Sequence, residues 1–370
     1  MNKIIVMQTE QNILNVIAIK HFNIKNILIL NNSKLQSPFA EKGLKNYLLS
    51  EGFQAKEKIL NPYNSKDLES LSTELKANDI LVIPNSRYAY SMNFLSFFKD
   101  TCKLAFVEED GDIYLQQNGI LKEIEQDYVA LDVEDYIENF GGYIKDSSEV
   151  LFDEGPANKI FNHIMAHLSD YRDMLKPPPI KLDTTTGLIH LKSNTFNPLQ
   201  KKIMLEIIDI MKTNHICSVH QKSKGMDLCF YNHDYIDFIG KVGTWLEMAT
   251  YKALSSINTV DSPKSSVFFY WNKKQHLVSN EVDVMGTYDN KLILISCKDT
   301  GKNLEKALYE LFVHGEQLGF DQSIKILVTT SEVKSGLRQR AKELGIELIT
   351  FEKHLRSLTL QLKNVLERHP

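Results

Sequence analysis

Several side chains in the C-terminal third of the chain have the types and spacing to do chemistry together. Glu281 and Asp283 stand two apart in Asn280-Glu281-Val282-Asp283-Val284-Met285, and Ser296 and Lys298 stand two apart in Lys291-Leu292-Ile293-Leu294-Ile295-Ser296-Cys297-Lys298-Asp299. Both runs are short, apolar and rich in Val and Ile, and Asp289-Asn290 between them is a turn sequence, so a β-hairpin is predicted. Alternate strand residues share a face, so one end of the hairpin gathers two carboxylates, a hydroxyl and an ammonium. Such an Asp holds Mg²⁺ or Mn²⁺ through oxygen, and a Lys on the next strand orients an attacking water or balances phosphorane charge. That is the chemistry of metal-assisted phosphodiester hydrolysis. A solvated charged hairpin would use the same residues, so the neighbouring elements bear on the choice.

Upstream, Gly243 to Leu254 reads as a helix with Trp245, Leu246, Ala249 and Leu254 available for packing. Glu247 sits among them, where a carboxylate is costly without a cation or hydrogen-bond partner; a metal shared with Asp283 would supply one. Downstream, helices over Asn303 to Gly319 and Glu332 to Leu344 alternate with strands over Ile324 to Thr330 and Ile346 to Ile349. The order α-β-β-α-β-α-β predicts a small mixed sheet flanked by helices.

Helix Glu247, strand Asp283 and strand Lys298 resemble the PD-(D/E)xK, or restriction-endonuclease-like, nucleases. More narrowly, Gly-x-Trp-Leu-Glu followed by Asn-Glu-Val-Asp-Val and Ile-Ser-Cys-Lys resembles the CRISPR ancillary nucleases that join such a domain to an N-terminal CARF ligand sensor. The resemblance implies a divalent-metal-dependent endonuclease in antiviral defence, with Asp283, Lys298, Ser296, Glu281 and Glu247 as catalytic residues. It departs at Ser296, where the family carries a carboxylate. The metal ligands implied are then Asp283, Glu247 and the backbone carbonyl of Cys297, with Glu281 a further candidate to compensate. The alternative is a catalytically weakened or inactive ligand-sensing or nucleic-acid-binding regulator.

A chain of 370 residues holds two or three domains. Its net charge of −4 excludes a general polyanion binder, so a nucleic-acid surface must be local. Lys334, Arg338, Arg340 and Lys342 recur at helical spacing, and Lys298 and Lys302 flank the proposed site, as substrate contacts or as a solvated face. Cys102, Cys217, Cys229 and Cys297 lack paired metal spacing and suit a reducing compartment. No apolar run reaches membrane length, and Met1-Asn2-Lys3-Ile4 enters a strand without a signal-peptide profile, so a cytoplasmic protein with no membrane association is expected.

Residues 1–145 alternate strand and helix signals in a doubly wound, Rossmann-like pattern. Ligands of such sheets bind at strand carboxyl ends beside the switch point. Two loops fall there: Gln8-Thr9-Glu10-Gln11, and Pro84-Asn85-Ser86-Arg87-Tyr88. Both offer hydroxyl or amide groups and helix N-termini, which favour phosphate; ordinary turn and capping chemistry would look the same. Thr9-Glu10-Gln11 followed by Asn15 resembles the first CARF motif, which implies a homodimer binding a cyclic oligoadenylate, cyclic tetra-adenylate being the favoured ring. The second loop departs from its Gly-Gly-Thr-Lys-like pattern: Asn85 and Ser86 replace glycines, Arg87 could supply the cation and Tyr88 could stack on adenine.

Residues 146–240 read as a connector. A helix from Ala157 to Leu175 should stop at Pro177-Pro178-Pro179, a second runs from Pro198 to Thr213, and a hairpin around Lys224-Gly225 follows, a winged-helix-like order. Residues 241–370 form the nuclease-like domain. No base-reading motif separates DNA from RNA as substrate.

Overall fold

The computed structural model describes residues 2–369 except 10–11, 33–39, 84–87, 109–110, 118, 125–128, 176–179, 183–187, 193–195, 223–224, 273–278, 300, 302, 320–321 and 353, with backbone alone at 40–42, 88–90, 117, 149–150, 180 and 182. Glu10, Gln11, Asn85, Ser86, Arg87, Pro177, Pro178, Pro179, Lys224 and Lys302 therefore lie outside the described residues.

The N-terminal part runs β1 (Ile4–Met7), α1 (Ile13–Phe22), β2 (Asn26–Asn32), α2 (Ala40–Ser50), β3 (Gln54–Leu60), α3 (Ser65–Glu74), β4 (Ile80–Ile83), α4 (Tyr88–Phe98), β5 (Lys103–Val107), β6 (Ile113–Gln117), β7 (Ile120–Glu123) and α5 (Val133–Asn139). Its sheet has the order β3-β2-β1-β4-β5-β6-β7. The first five strands are parallel and the last two antiparallel. β1 and β4 are apolar and buried at every position, as central strands covered on both faces must be. The chain order reverses between β1 and β4, so the two predicted loops leave adjacent strand ends at the switch point.

The connector holds β8 (Tyr143–Asp146), α6 (Glu149–Asp153), α7 (Gly155–Ala166), α8 (Leu168–Met174), β9 (Ile180–Leu182), β10 (Ile189–Leu191), α9 (Pro198–Thr213), β11 (Cys217–Lys222), β12 (Gly225–Phe230) and α10 (Asp237–Gly240). The predicted helix 157–175 is two helices, because His167 leaves the helical region at φ −127°, ψ 30°. Pro198 and an Asn197–Gln200 capping box start α9 where the sequence places it. The expected hairpin is β11–β12, in a four-stranded sheet ordered β11-β12-β10-β9.

The C-terminal part comprises α11 (Thr244–Ser255), β13 (Val260–Tyr270), β14 (Ser279–Tyr288), β15 (Lys291–Lys298), α12 (Leu304–Leu318), β16 (Ile324–Thr329), α13 (Ser335–Glu343), β17 (Ile346–Thr350) and α14 (Leu355–Leu366). β14 and β15 are the predicted hairpin, with Asp289 and Asn290 at φ 48° and 54° in its turn. β13 and α14 add to the expected order. Pro263 and a register shift between Asp261 and Lys264 interrupt the apolar pattern of β13.

The sheet order is β17-β16-β15-β14-β13-β8, so Tyr143–Asp146, at the expected boundary near 145, completes the nuclease-side sheet as its edge. Helix α5 ties the sensor-like part to that sheet. Leu131 accepts from Thr287 Oγ1 (2.5 Å), Tyr136 donates to the Asn290 carbonyl (2.5 Å), and Glu134 pairs with Lys264 (2.9 Å). On its other side Asp135 pairs with Lys20 (2.5 Å) and accepts from Tyr47. A Cβ on Gly43 of α2 would lie 2.5 Å from the Asn139 carbonyl, so α2 and α5 meet at backbone contact. One apolar core runs from Ile4 and Val6 through Val133 and Ile137 to Val267, Met285 and Leu294. A second joins connector residues Phe161, Tyr171 and Ile207 to Trp245, Leu246 and Ala249.

Candidate active site

Antiparallel pairing of Val284 with Ile295 sets Asp283 opposite Ser296 at the open end of the hairpin. One oxygen of Asp283, Oδ2, accepts from three donors: Ser296 Oγ at 3.1 Å, the Cys297 amide at 2.5 Å and Lys298 Nζ at 3.0 Å. Period-2 alternation thus delivers what the spacing predicts: Asp283, Ser296 and Lys298 meet in space. With Glu281 they line a pocket of about 410 Å³ closed on its far side by α12. Glu281 is exposed at its mouth.

Glu247 is partly buried in the first turn of α11 and reaches the same charges from its own side, where Ser266 Oγ donates to Oε2 at 3.4 Å. Burial, then the negative charges of Asp283 and Glu281, push its carboxyl up to about 8. Though Glu281 is exposed overall, partial shielding of its carboxyl and the charge of Asp283 raise it, with Lys241 and Lys298 opposing. For Lys298 burial works against the ammonium, but the pairing with Asp283 outweighs it and holds the amine charged.

Cys297 is buried, and burial lifts its thiol well above the usual range; Sγ donates to Thr250 Oγ1 at 3.4 Å, away from the pocket. The thiol is therefore a packing group, and only the Cys297 backbone serves the site. Among the described residues no three Asp, Glu, His or Cys side chains form a ready-made metal cage. The donor set nonetheless suits a hard divalent ion: burial and the charges of Asp283 and Glu281 drive Glu247 toward protonation, with Lys298 in contact with Asp283 alone among the three carboxylates.

Sequence reasoning missed three contributors. Lys241, paired with Asp237 at 2.7 Å, is raised on balance partly by the charges of Glu247 and Glu281, although burial opposes this. Glu310 and His314 of α12 line the pocket beside Lys306. Burial lowers the His314 pKa, and its ring packs edge-on against Phe269 at 5.9 Å. The positions 306, 307, 310, 311 and 314 share one helical face, a periodicity that could have found them. From the same face a groove of about 1330 Å³ continues between α12 and α13, lined by Lys306, Tyr309, Lys334 and Arg340. Of the predicted basic series, Arg338 stays exposed while its Nε donates to the Val333 carbonyl at 2.9 Å.

In the sensor-like part Thr9 follows β1, and its amide donates to Asn12 Oδ1 at 3.1 Å. Asn15, buried, donates to the Met7 carbonyl at 2.9 Å and so ties α1 to the end of β1. Among the described residues no helix is long and apolar enough to cross a membrane.

Residues 238–367 match the family described as Card1-like, endonuclease domain. No curated protein sequence matches the chain significantly. Solved structures that share its fold include the following three. Can2 from Sulfobacillus thermosulfidooxidans, in complex with cyclic tetra-adenylate, matches with TM-score 0.67 and 15% identity over 99% of both chains. Protein VC1899 from Vibrio cholerae matches with TM-score 0.72 and 16% identity over 99% of this chain and 98% of that one. A type III CRISPR defence DNA nuclease activated by cyclic oligoadenylate matches with TM-score 0.59 and 12% identity over 100% of this chain and 52% of that one.

Proposed function

We propose that the C-terminal part, a Card1-like endonuclease domain, hydrolyses nucleic-acid phosphodiester bonds with Mg²⁺ or Mn²⁺ under control of a cyclic oligoadenylate bound by a homodimer of the N-terminal parts. The observation that carries this is the convergence on Asp283 Oδ2 of Ser296, the Cys297 amide and Lys298, with Glu247 pressed against the same charge. Asp283, Glu247 and the Cys297 carbonyl would hold the ion. When bound it would polarise the scissile phosphate and acidify water. The Lys298 ammonium donates to the attacking water or to a phosphoryl oxygen as negative charge grows there. Ser296, placed where a carboxylate is usual, keeps Asp283 oriented by donating to it.

Regulation is supported by the whole-chain likeness to Can2, which was solved with cyclic tetra-adenylate. The ring would lie across the two-fold axis of a dimer, over the crevice between β1 and β4, with Thr9, Glu10, Gln11, Asn85, Ser86 and Arg87 presented by both protomers. Allostery requires the ligand to prefer one arrangement of the dimer. Helix α5, bonded to both parts, carries that difference to the nuclease sheet. We place the protein in the cytoplasm.

The deciding experiment is Asp283→Asn, assayed on single-stranded and supercoiled DNA and on RNA with Mn²⁺, with and without cyclic tetra-adenylate. Cleavage should vanish while the circular dichroism spectrum and ligand binding persist. Cleavage at the wild-type rate would remove the hairpin from the chemistry.

A further inference from the structure

Immediately beyond Lys298 stands Asp299, a carboxylate only 5% exposed. Its side chain is saturated. Arg172 Nε lies 3.1 Å from Oδ2 and Nη2 2.7 Å from Oδ1; the Trp245 indole donates to Oδ2 at 3.0 Å, and Thr330 Oγ1 to Oδ1 at 2.9 Å. Arg172 Nη2 also donates to the Asp299 carbonyl at 3.1 Å and to Thr330 Oγ1 at 2.9 Å. Arg172 belongs to α8, outside the matched endonuclease residues 238–367.

The groups gathered here are the mounts of the active site. Asp299 adjoins Lys298, Thr330 directly follows the neighbouring strand β16, and Trp245, fully buried, lies two residues before Glu247 in the first turn of α11. We infer that Arg172 is a positioning residue: through Asp299 it fixes the end of β15 and the start of α11, and thereby sets Lys298 and Glu247 against Asp283. This rests on the nuclease function proposed above.

A physical argument supports it. A buried carboxylate must be compensated, and a planar guanidinium does so bidentately in one orientation, which a flexible ammonium does not. Helix α8 has a second anchor in Tyr171, fully buried and donating to the Phe238 carbonyl at 2.7 Å, and Arg172 itself is a quarter exposed.

The test compares wild type, Arg172→Ala and Arg172→Lys in the full-length chain, by two readouts. The first needs no activity. The chain has two tryptophans, so a ¹⁵N-indole spectrum has two signals, and that of Trp245 reports its bond to Asp299. Arg172→Ala should shift the Trp245 signal and raise its solvent exchange by about ten-fold or more, with Trp271 unchanged, and Arg172→Lys, which keeps the charge but not the bidentate fork, should restore only part of the protection. The second is cleavage of single-stranded DNA with Mn²⁺ and cyclic tetra-adenylate. Arg172→Ala should lower kcat by about ten-fold or more with KM within about two-fold, and Arg172→Lys should recover part of kcat. An unchanged Trp245 signal in Arg172→Ala, or an unchanged kcat, overturns the inference; so does an equal loss in both variants, which would mark a purely structural contact. A wild type inert on every nucleic acid would overturn the nuclease function instead, and the indole readout would still decide the latch.

Discussion

Glu247→Gln separates a charged, metal-ready site from a merely buried side chain. Burial and the charges of Asp283 and Glu281 raise the Glu247 carboxyl to about 8, whereas in the unfolded chain it titrates near the ordinary glutamate value of 4.5. Between those two pH values the folded state binds a proton that the unfolded state has released, so stability falls as pH rises. At ~1.4 kcal/mol per pH unit the full displacement sets a ceiling of ~5 kcal/mol. Glu247 is only partly buried and water screens the interaction, so we expect a loss of ~2 kcal/mol for the metal-free protein between pH 5 and pH 8. Glutamine keeps the shape and cannot ionise, so most of that loss should disappear from the variant, while titrating groups remote from the site cancel in the comparison. Urea denaturation in EDTA at the two pH values, followed by tryptophan fluorescence, measures the difference. Added Mn²⁺ should then raise wild-type stability at pH 8, by ~2.7 kcal/mol at a hundred times its dissociation constant, and leave Glu247→Gln much less affected. Parallel pH dependence of wild type and variant in EDTA would refute the electrostatic account of the site.

Two further expectations follow from the same geometry. Lys298→Ala should cut turnover by about a hundred-fold while changing Mn²⁺ affinity little, because an ammonium acts on the water or the transition state and is no metal ligand; calorimetric titration beside single-turnover kinetics checks it, and equal losses would assign Lys298 a structural role. Arg87→Ala should weaken cyclic oligoadenylate binding by about ten-fold or more, since a charge-assisted phosphate contact is lost from both protomers, and leave basal cleavage unchanged; calorimetry with wild type and variant decides it, and unchanged affinity would take Arg87 out of the ligand site.

Several features were legible in residue order alone, because they rest on short-range periodicity. The β14–β15 hairpin, its Asp289–Asn290 turn, α9, α12, β16 and β17 all lie where local pattern and capping residues put them. The meeting of Asp283 with Ser296 and Lys298 follows from the same period of two once the turn sets the register. The buried runs of β1 and β4 likewise announced a parallel sheet with its crevice at their ends.

Other features depended on contacts between segments far apart in the chain, which no local pattern encodes. β13 was hidden because Pro263 and a bulge break its alternation, and it becomes a strand only by pairing with β14 and β8. β8, short and half-exposed, is recruited across the expected boundary because the nuclease sheet has an edge for it to cover. The protonation of Glu247 is set first by its burial under the tertiary packing and then by the charges of Asp283 and Glu281, neither of which sequence spacing contains. The carboxylate of Asp299, one residue past Lys298, gave no sign of its partner; only the fold brings Arg172 to it from 127 positions away, because a buried anion can be held there by a cation that the surrounding packing delivers.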